Sequence, residues 1–293
     1  MAGSLDGKIA LVTGATNGIG RVTALELARR GARVFLVARD RARGEATLAG
    51  IREACGGRSP DLLVADLSSQ AEVRRLAQEV RERTPRLDLL VNNAGAIFDE
   101  RAVSADGLEM TFALNHLAYF LLTLELLPLV EAGSASRIVN VSSVAHERGS
   151  IDFDDLQGER GYFMWRAYQQ SKLANVLFTR ELARRLAGRP GGRGVTTNAL
   201  HPGAIASGFG RNGTGFFSRL VALGAPFLAS PEKGARTTLH VATAPELAGV
   251  TGRYFSSCRE KTPSKAAQDD AAALRLWQIS EELALSSTRL PPP

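Results

Sequence analysis

The chain has 293 residues, of which 44% are hydrophobic and 23% are charged, and its formal net charge is +6. These values fit a soluble globular protein with one large α/β domain or two smaller domains. The cations are mostly arginines scattered among acidic residues, without a basic cluster interleaved with aromatic residues, which argues against a nucleic-acid partner.

The cysteines and the hydropathy of the chain argue against a metal or disulfide site, a secretion signal and a membrane span. Cys55 and Cys258 have no metal or redox spacing, so we expect no metal site and a reducing compartment. The first residues contain no hydrophobic signal core, and no uninterrupted apolar run approaches the roughly 20 residues of a membrane span. We therefore expect a cytoplasmic protein without a transmembrane anchor.

The first forty residues predict a strand, a glycine-rich turn, a helix and a second strand. Residues 9–13 and 32–38 are apolar runs, residues 14–20 (GATNGIG) form the turn, and Gly31 ends the intervening helical pattern. This order is typical of a nucleotide-binding crossover, where backbone N–H groups at the helix start face a pyrophosphate. A generic glycine-rich turn is the alternative.

The alternation of strands and helices continues beyond the crossover. Further apolar runs predict strands at residues 62–65, 87–91, 137–141 and 194–200. Helical patterns occupy residues 40–54, residues 69–83, a stretch ending near residue 131, and residues 168–186, with Asp40 and Ser69 as N-caps. The pattern predicts a single-domain, Rossmann-type, doubly wound parallel sheet of about seven strands with helices on both faces.

This single dinucleotide-binding and catalytic domain is expected to span residues 1–293, with its core at about 5–285. We assign a substrate lid to residues 204–230, where glycines flank an apolar stretch at 209–228. A helix packed into the core and a membrane-contacting helix are the alternatives for that stretch. Residues 286–293 are expected to form a disordered tail.

Tyr168 and Lys172 are four residues apart, so on a helix they share one face. Beside a cofactor, the ammonium would favour the phenolate and lower the tyrosine pKa from about 10 toward neutrality. Such a phenol can exchange a proton with a carbonyl or alcohol oxygen. The spacing also occurs often by chance, so the pair alone decides little.

Several motifs together resemble the short-chain dehydrogenase/reductase family. Residues 13–20 (TGATNGIG) resemble its cofactor turn and residues 92–95 (NNAG) its second signature. Pro202 and Gly203 follow the sixth strand, as the family pattern expects. The family's catalytic residues have counterparts in the same order, at Asn115, Ser143, Tyr168 and Lys172. The resemblance covers about residues 5–285.

The resemblance implies a role for each catalytic residue. Tyr168 would be the general acid in reduction or the base in oxidation, and Ser143 would hydrogen-bond the reacting oxygen. Lys172 would lower the tyrosine pKa and bind the nicotinamide ribose, and Asn115 would hold a water that links Lys172 to solvent. Ser142 is the competing serine, but the family uses the second serine of this pair.

The resemblance also implies the cofactor contacts. They come from Gly14, Thr16, Asn17, Gly18, Ile19, Gly20, Arg39, Asp66, Leu67, Asn93, Ala94, Gly95, Tyr168, Lys172, Pro202, Gly203, Ile205 and Ser207. Asp66 would contact the adenine amino group, although a simple helix cap is the alternative.

The end of the second strand favours NADP(H), with NAD(H) possible. Ala38 stands where family members that prefer NAD place an aspartate, and the guanidinium of Arg39 can bind a 2′-phosphate. Asp40 could oppose a phosphate, but we expect it to cap a helix.

The spacing between Ser143 and Tyr168 is about twice that common in the family. The extra segment, including residues 152–158 (DFDDLQG), resembles the branch that contains the retinol dehydrogenases, as do residues 137–146 and 252–256. The resemblance therefore implies a small lipophilic alcohol and its aldehyde or ketone as substrates. It also implies a homodimer or homotetramer, paired through the helices that contain Asn115 and Tyr168.

Three other functions remain as alternatives. A hydrolase could use Ser143 with His146 or His201. However, the chain has no G-x-S-x-G elbow, and a hydrolase would have no use for the glycine turn. We therefore expect both histidines to be structural. An NADPH-binding sensor or scaffold would usually lack part of the Ser/Tyr/Lys set. A reductase of steroid-like or polyketide-like ketones shares the same site.

Overall fold

The computed structural model describes residues 5–56, 60–188, 194–203 and 230–286. Its strands are β1 (Ile9–Thr13), β2 (Arg33–Ala38), β3 (Asp61–Val64), β4 (Leu89–Asn92), β5 (Arg137–Val141), β6 (Thr196–His201), β7 (Tyr254–Ser256) and β8 (Arg259–Glu260). Its longer helices are α1 (Gly18–Arg29), α2 (Arg41–Ala54), α3 (Gln70–Arg83), α4 (Met110–Glu131), α5 (Met164–Ala187), α6 (Pro231–Thr243) and α7 (Asp270–Ser286).

These strands form one sheet in the order β3-β2-β1-β4-β5-β6-β7-β8. Neighbours from β3 to β7 pair in parallel, and β8 pairs with β7 in antiparallel orientation. The predicted fold class is confirmed. The eighth strand was not predicted because it has only two residues, which follow a tight turn at Ser257 and Cys258 with φ of 50° and 60°.

The helices lie on both faces of the sheet because neighbouring strand residues point in opposite directions. Leu11 of β1 packs in an apolar cluster with α3, α4 and α5, and Val12 packs in another with α1, α2 and α6. The two clusters bury both faces, as expected for a parallel sheet with near-continuous apolar strands.

The helix starts agree with the predicted caps. Asp40 Oδ1 accepts a hydrogen bond from Arg43 N at 2.8 Å, and Ser69 Oγ accepts one from Glu72 N at 3.5 Å. At the start of α4, the buried Glu109 carboxylate accepts from the backbone N–H groups of Thr111 and Phe112, both at 2.7 Å. These carboxylates and hydroxyls satisfy donors that the first helical turn leaves without partners.

A buried polar chain joins the central strands to the helices above them. Asn92 of β4 and Asn140 of β5 are register partners, and Asn92 Nδ2 donates to Asn140 Oδ1 at 2.9 Å. Asn92 Nδ2 also donates to Thr123 Oγ1 of α4, and Asn140 Nδ2 donates to Thr179 Oγ1 of α5, both at 3.0 Å. Because buried amides are costly without partners, these bonds favour one placement of α4 and α5.

Helix α4 has two unusual properties. It contains a π-helical turn at Ala113–Leu117. Among the described residues, it is also the helix that is long and apolar enough to cross a membrane by length and composition. However, 78% of its most apolar window is buried within the fold, as a core helix would be.

Helix α7 covers the outer faces of α4 and α5. Trp277 packs edge-on against Phe120 of α4, with ring centroids 4.9 Å apart, and stacks on Phe178 of α5 at 5.9 Å. The Arg185 guanidinium lies 4.2 Å from the centroid of the Trp277 ring. Pairing of subunits through α4 and α5, as expected from the sequence, would have to use faces of these helices that Trp277 does not cover.

Candidate active site

The site lies at the carboxyl ends of the parallel strands, on both sides of the point where the strand order reverses between β1 and β4. The glycine turn follows β1, Asn93 follows β4, Ser143 follows β5 and Pro202 follows β6. Four segments that are distant in the sequence therefore meet at one edge, and α5 adds Tyr168 and Lys172.

The glycine turn is packed too closely for side chains. Gly14 has φ of +63°, and a Cβ on it would lie 2.8 Å from Ala94 Cα. A Cβ on Gly20 would collide with the carbonyl oxygen of Gly14 and lie 2.5 Å from Asn93 Nδ2. The Asn17 side chain makes no capping bond at the start of α1. The N-terminal amides of α1 thus stay available at a cradle that fits a pyrophosphate.

Thr13 and Asn93 support this turn from beneath. Thr13 Oγ1 accepts hydrogen bonds from the backbone N–H groups of Asn93 at 2.8 Å and Ala94 at 3.0 Å. The Asn93 side chain donates to the carbonyl oxygen of Thr13 at 2.8 Å. Its amide nitrogen is therefore engaged with the protein backbone. The sequence analysis did not assign a role to Thr13, although a threonine ending an aliphatic strand was a usable signal.

Arg39 lies at the end of β2, next to the glycine turn. The strand contacts the turn through Ala15 N, which donates to Val37 O at 3.2 Å. Arg39 is exposed, and no other described residue forms a hydrogen bond or ion pair with its guanidinium. Asp40 is held as the N-cap of α2 by its bond to Arg43 N, as expected.

Asp66 closes the turn between β3 and α3. Its Oδ1 accepts from Ser68 N at 3.0 Å and from Ser68 Oγ at 2.7 Å, while the neighbouring Leu67 is buried. One carboxylate oxygen thus holds the turn before α3, whereas the helix cap given as the alternative to an adenine contact is made by Ser69. The adenine contact stays a prediction.

Ser143, Tyr168 and Lys172 come together beneath the end of β5. The Ser143 side chain lies beside the Tyr168 side chain, where it acts to lower the pKa of the Tyr168 hydroxyl. Lys172 Nζ lies 5.7 Å from the Tyr168 ring centroid and donates to Val141 O at 3.1 Å. The competing Ser142 is engaged elsewhere, because its Oγ donates to Lys172 O at 2.6 Å in the interior. Ser143 is therefore the serine placed beside the phenol.

Burial decides the protonation of this pair in the protein alone. Burial raises the pKa of Tyr168 to about 12, against the opposing effect of the Ser143 side chain. Burial also lowers the pKa of Lys172 to about 7. In the protein alone, removal from water penalises both charged forms, whereas the expected lowering of the tyrosine pKa concerns the protein with its cofactor and stays a prediction. At neutral pH the phenol is protonated.

Asn115 lies in the π-helical turn of α4 and links three segments. Its Oδ1 accepts from Ala96 N and its Nδ2 donates to Ala96 O, both at 2.9 Å, and Nδ2 also donates to Ser171 Oγ at 3.0 Å. A Cβ on Gly95 would lie 3.1 Å from Asn115 Oδ1 and 3.4 Å from Lys172 Nζ. Gly95, Asn115 and Lys172 are thus brought together, and the water expected at Asn115 stays a prediction.

Comparison with known proteins identifies the family. The family model of the short chain dehydrogenases matches residues 8–214. The chain belongs to the short-chain dehydrogenase/reductase family. It is 44% identical to retinol dehydrogenase 14 of Mus musculus over 95% of this chain and 86% of the relative. It is also 44% identical to human retinol dehydrogenase 13 over 96% of this chain and 85% of the relative.

Solved structures of the same family share the fold. A crystal structure from Mycobacterium paratuberculosis has a TM-score of 0.77 and 34% identity, covering 97% of this chain and 96% of that one. The Pseudomonas aeruginosa RhlG/NADP active-site complex has a TM-score of 0.67 and 32% identity, covering 86% and 95%. The chain is thus a retinol dehydrogenase-like member of the family and an oxidoreductase acting on CH–OH groups.

In this short-chain dehydrogenase, the segment before α5 is anchored at several points. Gln170 of α5 accepts from Asp152 N at 2.9 Å and donates to Leu156 O at 3.1 Å. Gln157 Oε1 accepts from Glu109 N at 2.6 Å. The extra residues therefore pack across the starts of α4 and α5.

This segment delivers aromatic residues to the mouth of the site. Trp165 is 38% exposed and stacks on the Tyr168 ring with centroids 5.6 Å apart, and Phe163 is 62% exposed. Ile97 and Ala145 form a small buried apolar cluster with Tyr168. The sequence analysis assigned no role to Trp165, although its position three residues before Tyr168 on α5 was a usable signal.

The remaining predicted residues of the enzyme divide into two groups. Gly203 N donates to His201 Nδ1 at 3.0 Å directly after β6, which gives His201 the expected structural role next to Pro202. Ile205, Ser207 and the apolar stretch at 209–228 lie outside the described residues. The predicted lid is described only at its last position, Ser230, which caps α6. The predicted tail is described only at residue 286, where α7 ends.

Proposed function

We propose that the protein interconverts a lipophilic alcohol and its aldehyde or ketone with NADP(H), using Tyr168 as the general acid or base. The observation that supports the proposal is the buried Tyr168 phenol with Ser143 and Lys172 beside it, within an apolar wall and at the same sheet edge as the glycine turn. A protonated phenol in that place can give its proton to a carbonyl oxygen, which is the step that reduction requires.

The chain's own residues orient, bind and transfer the proton. NADPH, when bound, supplies the hydride. The Ser143 hydroxyl holds the reacting oxygen next to the Tyr168 hydroxyl, so that the phenol protonates this oxygen as negative charge develops there. The Lys172 ammonium, 5.7 Å from the ring centroid, stabilises the resulting phenolate. A Lys172 pKa of about 7 allows this amine to take up or release a proton near neutrality.

The preference for NADP(H) rests on charge at the end of β2. The Arg39 guanidinium is exposed, Ala38 contributes no carboxylate, and the Asp40 carboxylate is held at the N-terminus of α2. A 2′-phosphate placed there meets a cation with no competing partner among the described residues. Structural relatives bound to this cofactor, including the RhlG/NADP complex, support the assignment.

The lipophilic substrate class rests on the surface beside Tyr168. Trp165 covers the phenol ring, and Phe163 and Val144 are exposed aromatic or aliphatic side chains next to residues of the site. Such a surface binds hydrocarbon better than a charged or sugar-like substrate. Relatives named retinol dehydrogenases are consistent with this class.

A turnover assay with both cofactors tests the proposal. Retinal, medium-chain aldehydes and steroid ketones are each incubated with NADPH or NADH, and cofactor oxidation is followed at 340 nm. We expect NADPH-dependent reduction of at least one lipophilic carbonyl and at least about a hundredfold loss in Tyr168→Phe, within the usual range for general acid catalysis. Tight NADPH binding without oxidation by any carbonyl would favour the scaffold alternative.

A further inference from the structure

His146 lies three residues after Ser143 in a short 3₁₀ helix, Val144–Arg148, and its side chain is completely buried. Its Nδ1 lies 2.7 Å from the carbonyl oxygen of Ser143. On the other side of the ring, Ser264 N donates to Nε2 at 3.4 Å. The ring also packs against Tyr254 of β7, with centroids 4.7 Å apart. Both ring nitrogens are thus engaged with backbone groups.

These two contacts fix the tautomer. A backbone N–H can only donate, so Nε2 must be the accepting nitrogen and the proton must lie on Nδ1. Nδ1–H therefore donates to the Ser143 carbonyl, which also accepts from His146 N at 3.1 Å. The Oγ of the same serine accepts from Ala145 N at 3.2 Å. His146 thus holds the backbone carbonyl of Ser143, and the backbone of Ala145 holds its side chain.

The surroundings keep this imidazole neutral. Burial lowers the pKa of His146 below its usual value, and the Lys261 charge acts in the same direction. Glu147 opposes the effect but is held by Lys261 at 2.7 Å. The other titratable groups near the ring are His201 and Tyr254, whose pKa values are shifted down and up respectively by burial.

We propose that His146 is the positioning residue for Ser143. Its Nδ1–H fixes the serine carbonyl so that Oγ faces Tyr168, and its Nε2 ties this arrangement to the chain segment at Ser264. The inference rests on the proposed function in one respect, namely that Ser143 holds the reacting oxygen. It assigns His146 a task in turnover beyond the structural role expected from the sequence.

Two substitutions test the contacts of the two His146 ring nitrogens one at a time. His146→Asn places an amide donor near the position of Nδ1, whereas His146→Gln places its amide near Nε2 and removes the donor to Ser143. We expect kcat within about threefold of wild type for the Asn variant and about tenfold lower for the Gln variant, the loss expected when one oriented hydrogen bond is removed. The KM for NADPH should be unchanged in both. His240→Gln, at a half-buried position of α6, is the control for replacing a histidine outside the site.

The pH profile adds a readout that a merely structural histidine would not move. Protonated His146 would present an N–H to the N–H of Ser264, and this repulsion, which the Asn variant does not have, would push the ring away from the Ser143 carbonyl. The kcat of the wild type should therefore fall on the acid side as this ring is protonated. His146→Asn should lack that limb, while Glu147, Lys261 and His201 remain in both proteins. An identical acid limb in wild type and Asn variant, or equal kcat losses in the Asn and Gln variants, would overturn the proposal.

A spectroscopic measurement keeps the test independent of activity. The ¹⁵N chemical shifts of the His146 ring in the whole protein, assigned with His146→Asn, should show a protonated Nδ1 and an unprotonated Nε2 at neutral pH. The opposite tautomer would overturn the proposal even if no carbonyl were turned over. If the wild-type protein shows the expected tautomer but reduces no carbonyl, that result would contradict the proposed function and not the role of His146.

Discussion

Trp277 of α7 stacks on Phe178 of α5, with ring centroids 5.9 Å apart and an interplanar angle of 22°. A second contact joins α7 to the active-site helix α4. His116 is next to Asn115 on α4, and its Nε2 lies 2.9 Å from Ser280 Oγ of α7. The C-terminal helix therefore covers the faces of α4 and α5 that present Phe120 and Phe178. It also supports the π-helical turn that holds Asn115.

We therefore expect no subunit pairing through these faces of α4 and α5. Trp277→Ala should lower the free energy of unfolding by about 3 to 5 kcal/mol, the usual cost of truncating a buried aromatic ring. Leu274→Ala, at a 37% exposed position of the same helix, is the control and should have little effect. Urea denaturation measures both changes. Two results together would contradict this expectation. Light scattering would detect a dimer, and hydrogen exchange would show that the amides of α5 become better protected as the protein concentration rises.

Arg39 is expected to set the cofactor preference. Its removal takes away the exposed cation that would meet a 2′-phosphate, so Arg39→Ala should raise the KM for NADPH by about tenfold or more, consistent with loss of a charge-assisted hydrogen bond. The KM for NADH should change little. Arg52→Ala, at an exposed position near the end of α2, controls for loss of one positive charge. Equal effects on both cofactors would defeat the assignment.

Trp165 is expected to discriminate between large and small carbonyl substrates. Trp165→Ala removes an aromatic ring that stacks on Tyr168 at 5.6 Å, so a long or retinoid-sized aldehyde loses contact area that a short aldehyde never uses. We expect kcat/KM for retinal to fall by about tenfold, in the range of one aromatic contact, with a smaller change for propanal. Trp165→Phe should retain most of the activity. Parallel losses for both aldehydes would indicate a defect at Tyr168 itself.

The parts of this protein that sequence predicts best are those determined locally. Strands β1, β2 and β5, the glycine turn and the caps at Asp40 and Ser69 each depend on residues within a few positions of one another. The packing of Gln170 against residues 152–156 and the covering of α4 by Trp277 depend on contacts between distant segments, which no local pattern specifies. The pKa values of Tyr168 and Lys172 in the protein alone could not be predicted from their spacing, because burial shifts both and depends on the whole fold.

Lys172 makes the stability of the enzyme depend on pH with a defined sign. Burial lowers its pKa to about 7 from an ordinary 10.5, so between these values the unfolded chain binds more protons than the folded one, and stability rises with pH. Lys172→Met removes this cost. The variant should be inactive but more stable than wild type at pH 7, with the difference shrinking by up to about 1.4 kcal/mol per pH unit as pH rises.

Urea unfolding of both proteins at pH 7.0, 8.0 and 9.0 measures this slope. The window stays below the ordinary pKa of tyrosine, so Tyr168 contributes equally to both proteins. Lys265→Met, at an exposed position, removes the same charge without the burial and should give a difference from wild type that does not vary with pH. A Lys172→Met difference that is equally flat would mean that the amine titrates in the folded protein as it does in water.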